Sequence, residues 1–184
     1  MAYLPGLAQS MRAVDRRCDV IMRKNAIRVP QLRPAALSDL AGLVRLEGER
    51  FPTDRLTRKS LQGLIRSPSA FVLIASRGER LLGYAVLLTR RGSRTARLYS
   101  IAVSADAAGQ GVGSRLLSAI ESVASERGAD HLQLEVRADN PAAIHLYERA
   151  GYLPTGRRSR YYEDGMTALV FTRDLRSKSN PVVA

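Results

Sequence analysis

Residues 98–117 constrain the fold of this chain more than any other stretch. An apolar run, Leu98-Tyr99-Ser100-Ile101-Ala102-Val103, reads as a strand. It leads through Ser104-Ala105-Asp106-Ala107-Ala108 into glycines at 109, 111 and 113, and an amphipathic stretch opens at Val112. Glycine accepts φ > 0 and lets bare amides approach a ligand. The first turn of the helix that follows leaves N–H groups without intrahelical partners, with the positive end of the helix dipole behind them. Such a junction cradles a phosphate or pyrophosphate, unless it is simply a tight strand-to-helix turn. It lacks the lysine and Ser/Thr of a P-loop. Glu126 and Asp130 come near the spacing of a dinucleotide fingerprint, but neither ends a second apolar strand. A nucleoside triphosphate or nicotinamide dinucleotide is therefore disfavoured.

The next segment narrows the reading. Leu132-Gln133-Leu134-Glu135-Val136-Arg137 alternates as a strand, and Ala138-Asp139-Asn140-Pro141 is a turn with a helix start. A short helix from Ala142 ends at Gly151. Here the chain resembles the GNAT acetyltransferase superfamily. The superfamily motif Q/R-x-x-G-x-G/A aligns on Ala108 through Gly113, and LEVRADNPAAIHLYERAGY resembles its RimI-type branch. The resemblance covers residues 28–175. It implies the α/β GNAT fold, acetyl-CoA as co-substrate with no metal, and a cytoplasmic enzyme. The implied acceptor is a protein N-terminal α-amine, in that branch one of a ribosomal protein.

Composition agrees with one compact domain. The chain has 184 residues, 45% hydrophobic and 25% charged, which suffices for a sizeable core. No apolar run approaches the ~20 residues of a membrane span. Cys18 is the only cysteine, so no internal disulfide can form. His131 and His145 stand apart, without metal-ligand spacing. The net charge of +12 attracts polyanions, coenzyme phosphates among them, but no nucleic-acid module accompanies it. It reads as electrostatic background, with no specific nucleic-acid or membrane partner. Residues 1–27 read as a basic extension, poorly packed or an accessory helix, and 176–184 as a flexible tail. Between Arg12 and Arg28 six basic side chains face two aspartates, with a narrow apolar stripe at helical spacing.

The remaining pattern predicts the order β-α-α-β-β-β-α-β-α-β-β, which is that of the GNAT fold: a mixed, mostly antiparallel sheet flanked by helices. Ala26 to Arg33 is a first strand ended by Pro34, and Ser38 caps a helix with Leu40, Leu43 and Val44 on its apolar face. Phe51-Pro52-Thr53-Asp54 breaks that helix, and a second carries Leu61, Leu64 and Ile65. Ala70–Ala75, Leu81–Leu88 and Ala96–Val103 form an antiparallel meander with loops at Gly78 and Gly92. Met166 to Leu175 is the last strand.

Acetyl transfer to an amine needs a donor held still, an amine relieved of its proton, and an acid for the leaving thiolate. Backbone amides in Ile101, Ala102 and Val103 can pair with an amide-rich ligand arm as another strand would, though plain core packing also explains these residues. Gly109, Gln110, Gly111, Val112, Gly113 and Ser114 would hold the pyrophosphate. The resemblance places Asn140 near the thioester. Glu135, at the end of an apolar strand, is either a partner for an arginine or a general base, and the resemblance favours the base. Tyr147 reads from its pattern as core, whereas the resemblance gives it the proton for the thiolate. Phe51-Pro52 and Tyr161-Tyr162 resemble the family's acceptor loops. An α-amine of pKa ~7.8 loses its proton at neutral pH for about 1 kcal/mol, a lysine at ~10.4 for roughly 4.6 kcal/mol. A modest base suits the α-amine. The alternatives are a small-molecule amine or lysine acceptor, or a non-catalytic acyl-CoA-binding or ribosome-docking module.

Overall fold

A strand must place alternate side chains on opposite faces, and among the described residues the chain does so seven times. The computed structural model describes residues 29–176. The basic extension of 1–27, the Ala26 end of the first strand and the tail beyond Arg176 lie outside the described residues. The strands are β1 (Gln31–Pro34), β2 (Ala70–Arg77), β3 (Arg80–Leu88), β4 (Thr95–Val103), β5 (His131–Arg137), β6 (Leu153–Arg158) and β7 (Ala168–Asp174). Between them run α1 (Leu40–Arg50), α2 (Arg58–Arg66), α3 (Val112–Glu126) and α4 (Pro141–Arg149). Short 3₁₀ turns at Leu37–Asp39 and Ala105–Ala107 lead into α1 and the glycine loop. The expected order is the observed one.

The strands form one sheet, ordered β1-β2-β3-β4-β5-β7-β6. Every neighbouring pair is antiparallel except β4 and β5. Each face buries its own helices. On one, Leu116, Leu117 and Ile120 of α3 and Tyr147 of α4 pack with Leu98, Leu132, Leu134 and Val136. On the other, Leu40, Leu43 and Leu46 of α1 and Leu61 of α2 pack with Val72, Ile74, Tyr84 and Val86. Helical and strand periodicities thus bury two apolar layers against one sheet.

Two local expectations are corrected. Pro34 does not end β1 but is its last member, opposite Leu73. On an edge strand the missing N–H faces away from the ladder, so proline is tolerated there. Ser38 does not cap α1, because it lies inside the 3₁₀ turn. The Asp39 carboxylate does the local work instead: it accepts the Ala36 N–H at 2.8 Å and pairs with Arg33 at 2.7 Å. The cap of α2 follows the ordinary rule, with the Thr57 hydroxyl accepting the Ser60 N–H at 3.1 Å.

Candidate active site

The parallel contact between β4 and β5 lasts only from Thr95 opposite His131 to Leu98 opposite Leu134. Beyond it, Tyr99–Val103 and Glu135–Arg137 have no pairing with each other, so the sheet opens at its centre. A bulge helps to turn β4 away: Leu87 pairs with Leu98 but Val86 with Ser100. After the bulge the Ser104 N–H donates to Leu82 at 2.8 Å. Alternation then directs the backbone of Ala102 toward β3 and the amides of Ile101 and Val103 toward the open edge. Within 101–103, Ala102 is therefore not an edge contact; its side chain is buried on the α1–α2 face.

The glycine junction sits at the end of this edge. Gly109 and Gly111 have φ of 73° and 76°, a conformation that a side chain would strain. Gly111 caps α3 without any side-chain oxygen. The amides of Val112, Gly113 and Ser114 accordingly have no partner among the described residues. The loop itself is pinned from outside. Gln110 donates to the Asp106 carbonyl at 2.7 Å and accepts from Arg77 at 3.3 Å, while Arg80 pairs with Asp106. Three bare amides at a helix start, beside an open strand edge, fit a pyrophosphate joined to an amide-bearing arm.

The two candidate side chains lie on opposite faces of the sheet. Leu132, Leu134 and Val136 point toward α3 and α4, so Glu135 points toward α1 and α2. Its side chain is 5% exposed and paired with Arg97 at 2.8 Å and Arg158 at 3.2 Å. The arginine partnership expected as one alternative is thus present, and a carboxylate has lone pairs beyond the two used here. Tyr147 comes from the other face, 4% exposed, its ring 5.7 Å from Tyr152 and 6.4 Å from Phe171. Its hydroxyl bonds to no described residue. Burial raises its pKa above the ordinary phenol value, so it stays protonated at neutral pH. Asn140 spends its Oδ1 on capping α4, accepting the Ala143 N–H at 3.1 Å, which leaves its amide donors for other partners.

The two suspected loops do meet. Asp54, at φ 54°, accepts the Glu163 N–H at 3.2 Å, joining the α1–α2 loop to the β6–β7 loop. Tyr161 receives a hydrogen bond from Arg97 and packs edge-on against Tyr162, 5.2 Å between centroids. Tyr162 lies over Arg137 at 4.9 Å, and burial pushes its phenol up to about 12. It lies within electrostatic reach of both Glu135 and Tyr147. Phe51 packs into the α1–α2 cluster, and Pro52 is exposed on the loop.

Sequence reasoning missed Arg97, Arg158 and Glu47. Glu47 is 2% exposed on α1, where it accepts the Leu56 N–H at 3.0 Å and the Tyr84 hydroxyl. Burial pushes its carboxyl up to about 7. Tyr84 in turn bonds Ser100 at 2.8 Å, beside the bulge. The signal was available: Glu47 lies four residues after the buried Leu43, inside the apolar stripe. From the bulge an open groove of about 470 Å³ runs along α2, lined by Leu56, Ser60, Gly63, Leu64, Ser67, Leu88 and Tyr99. Arg97 covers the Tyr99 ring at 5.4 Å, so one side chain separates the groove from Glu135.

Among the described residues no helix is long and apolar enough to cross a membrane, and no His/Cys/Asp/Glu group could hold a metal. The acetyltransferase (GNAT) family model matches residues 37–152. A Bacillus subtilis protein with the provisional name ribosomal protein bS18-alanine N-acetyltransferase is 29% identical over 140 residues, covering 76% of this chain and 91% of its own. The ribosomal protein bS18-alanine N-acetyltransferase of Escherichia coli is 37% identical over 99 residues, 48% of this chain and 66% of its own. The crystal structure of the ribosomal-protein-S18-alanine N-acetyltransferase from Escherichia coli superposes with a TM-score of 0.71 at 26% identity, over 79% of this chain and 94% of that one.

Proposed function

The chain belongs to the GNAT acetyltransferase family, and from that premise we propose that it acetylates the α-amine of a protein N-terminus. It is an acetyl-CoA-dependent N-acetyltransferase, and a ribosomal protein is the acceptor named for its relatives. The observation that carries the finer reading is the opening between β4 and β5, with Glu135 on one face and Tyr147 on the other.

In this reading Ile101 and Val103 hold the pantetheine arm through edge amides, and Val112, Gly113 and Ser114 hold the pyrophosphate at the start of α3. Gly109, Gln110 and Gly111 shape that loop. Acetyl-CoA supplies the acetyl group as a thioester. Glu135 takes a proton from the α-amine, directly or through water, as the amine nitrogen bonds the acetyl carbon and the carbon–sulfur bond breaks. Tyr147 gives its proton to the departing thiolate. A thiol near ~8.5 against a phenol above ~10 makes this transfer uphill, so positioning at the sulfur must help. Asn140 stands beside the same end through its free amide donors. Arg97 and Arg158 keep cations at the amine's destination, which favours an amine arriving as the neutral base. An α-amine reaches that state for far less than a lysine does.

The test is thiol release from acetyl-CoA with matched peptides. One has a free α-amine and no lysine; the other is blocked at its N-terminus and carries one lysine. Release with the first and background with the second supports the assignment. The reverse, or release only with small amines, contradicts it.

A further inference from the structure

We propose that the groove along α2 receives the first residues of the acceptor chain and selects N-termini followed by an acidic stretch. The proposal rests on the α-amine reading above and adds the class of sequence behind the amine. The lining residues are uncharged, but the two segments that supply them carry a marked excess of cations. Between Asp54 and Ser67 and between Leu88 and Tyr99, eight arginine or lysine side chains stand against one carboxylate, Asp54. Arg94 is paired with Asp130 and Arg97 with Glu135. The other six, Arg55, Arg58, Lys59, Arg66, Arg90 and Arg91, make no ion pair with any described residue and are exposed. Arg55 lies within electrostatic reach of Glu47, and the other five have no ion-pair partner among the described residues.

Helix geometry aims part of that charge at the groove. Ser60 and Gly63 line it from α2, and Ser67 from the residue that follows the helix. Lys59 stands one position before Ser60, a turn of roughly 100°, and Arg66 three positions after Gly63, roughly 60° short of a full turn, so both exposed side chains lie at the solvent lip of the groove. Tyr99 forms the opposite wall, and Arg97, stacked over its ring, leads to Glu135. The floor between, with Leu56, Leu64 and Leu88, is apolar and uncharged. An extended peptide leaving Glu135 therefore meets apolar and hydroxyl surface below and unpaired cations along the α2 lip. A nucleic acid fits less well, because the groove offers Tyr99 alone as a stacking surface and runs into a buried carboxylate. Gly63 marks the place where a side chain could block the path: a Cβ added there would meet nothing within 4 Å.

The experiment measures kcat/KM for three peptides with one shared first residue and acidic, neutral or basic residues at positions two to five. The acidic peptide should exceed the neutral one by about tenfold at low salt, with the gain in KM because the groove lies away from the reacting atoms. The basic peptide should be worst, and the ratios should shrink as ionic strength rises. A Lys59→Glu/Arg66→Glu double variant should collapse the acidic-to-neutral ratio. Gly63→Leu should raise KM for a ten-residue acidic peptide more than for a dipeptide amide with the same first residue. Equal rates for the three peptides, or preference for the basic one, would overturn the proposal while leaving α-amine acetylation intact. The same holds if single-stranded RNA displaces the peptides and their charge makes no difference. Thiol release with none of the three peptides would instead contradict the α-amine reading itself.

Discussion

The two sides of the opening between β4 and β5 are built by different means. On the α3 side the features are backbone: edge amides at Ile101 and Val103 and bare N–H groups at Val112–Ser114, shaped by Gly109 and Gly111. On the α1–α2 side they are side chains: Glu135 between Arg97 and Arg158, the Tyr161–Tyr162 pair, and the apolar and hydroxyl lining of the groove. The first kind suits a ligand whose chemistry never varies. The second can be retuned by surface substitutions to suit a different acceptor, without disturbing the helix or the sheet. One fold can thus hold a fixed donor site against a variable acceptor site.

The largest effect should come from the α1–α2 side. Glu135→Gln should lower kcat about 10²–10⁴-fold near neutral pH and recover in part at higher pH, where the amine loses its proton unaided. A loss of equal size at every pH would make Glu135 only an anchor for its two arginines, and the sides would no longer divide as argued. Tyr147→Phe probes the same point from the other face. Its hydroxyl has no hydrogen-bond partner among the described residues, so stability should stay within about 0.5 kcal/mol. kcat should fall about 10²-fold while acetyl-CoA affinity holds, and an unchanged kcat would return Tyr147 to the core.

A smaller effect sharpens the contrast on the α3 side. Ala108 occupies the position where the family motif carries Gln or Arg. Ala108→Arg adds a charge-assisted contact to a site built from amides, so acetyl-CoA should bind more tightly. Because Arg77 and Arg80 already brace this loop, the gain should be only about three- to tenfold, fading with salt. Calorimetric titration at two ionic strengths reads it. Weaker binding would mean that the pyrophosphate is not where the amides are.

An effect on stability, with little expected on turnover, concerns the Glu47 network beneath the α1–α2 loop. Its carboxyl is raised to about 7, so the folded state holds its proton more tightly than the unfolded chain does. Stability should therefore be greatest below about pH 4.3 for this group and fall as pH rises to 7, by about 1–3 kcal/mol. Glu47→Gln should flatten that slope in thermal melts between pH 5 and 7. A slope that survives the substitution belongs to another group.

The same division explains what could be read in the sequence. The glycine junction, α3 and the alternation of β5 are local, and each lies within a dozen or so consecutive residues. They were legible for that reason. The cluster at Glu135 draws on β4, β5, β6 and the β6–β7 loop, and no short window contains both Glu135 and either of its partner arginines. The alternation of Ala96-Arg97-Leu98 put Arg97 on a known face but could not say what stood across from it. The β4 bulge left no trace either, since neither Leu98, Tyr99 nor Ser100 is a glycine that would announce it. Ser38 looked like a helix cap because its type fits, and the competing 3₁₀ turn is set by Asp39 and Arg33 instead.

Backbone amide exchange on adding acetyl-CoA tests the division most directly. The account predicts slowed exchange at Ile101, Val103 and Val112–Ser114 with acetyl-CoA alone, and little change in the α1–α2 and β6–β7 loops until an acceptor peptide is added. Protection confined to those loops, or none at the start of α3, would contradict it.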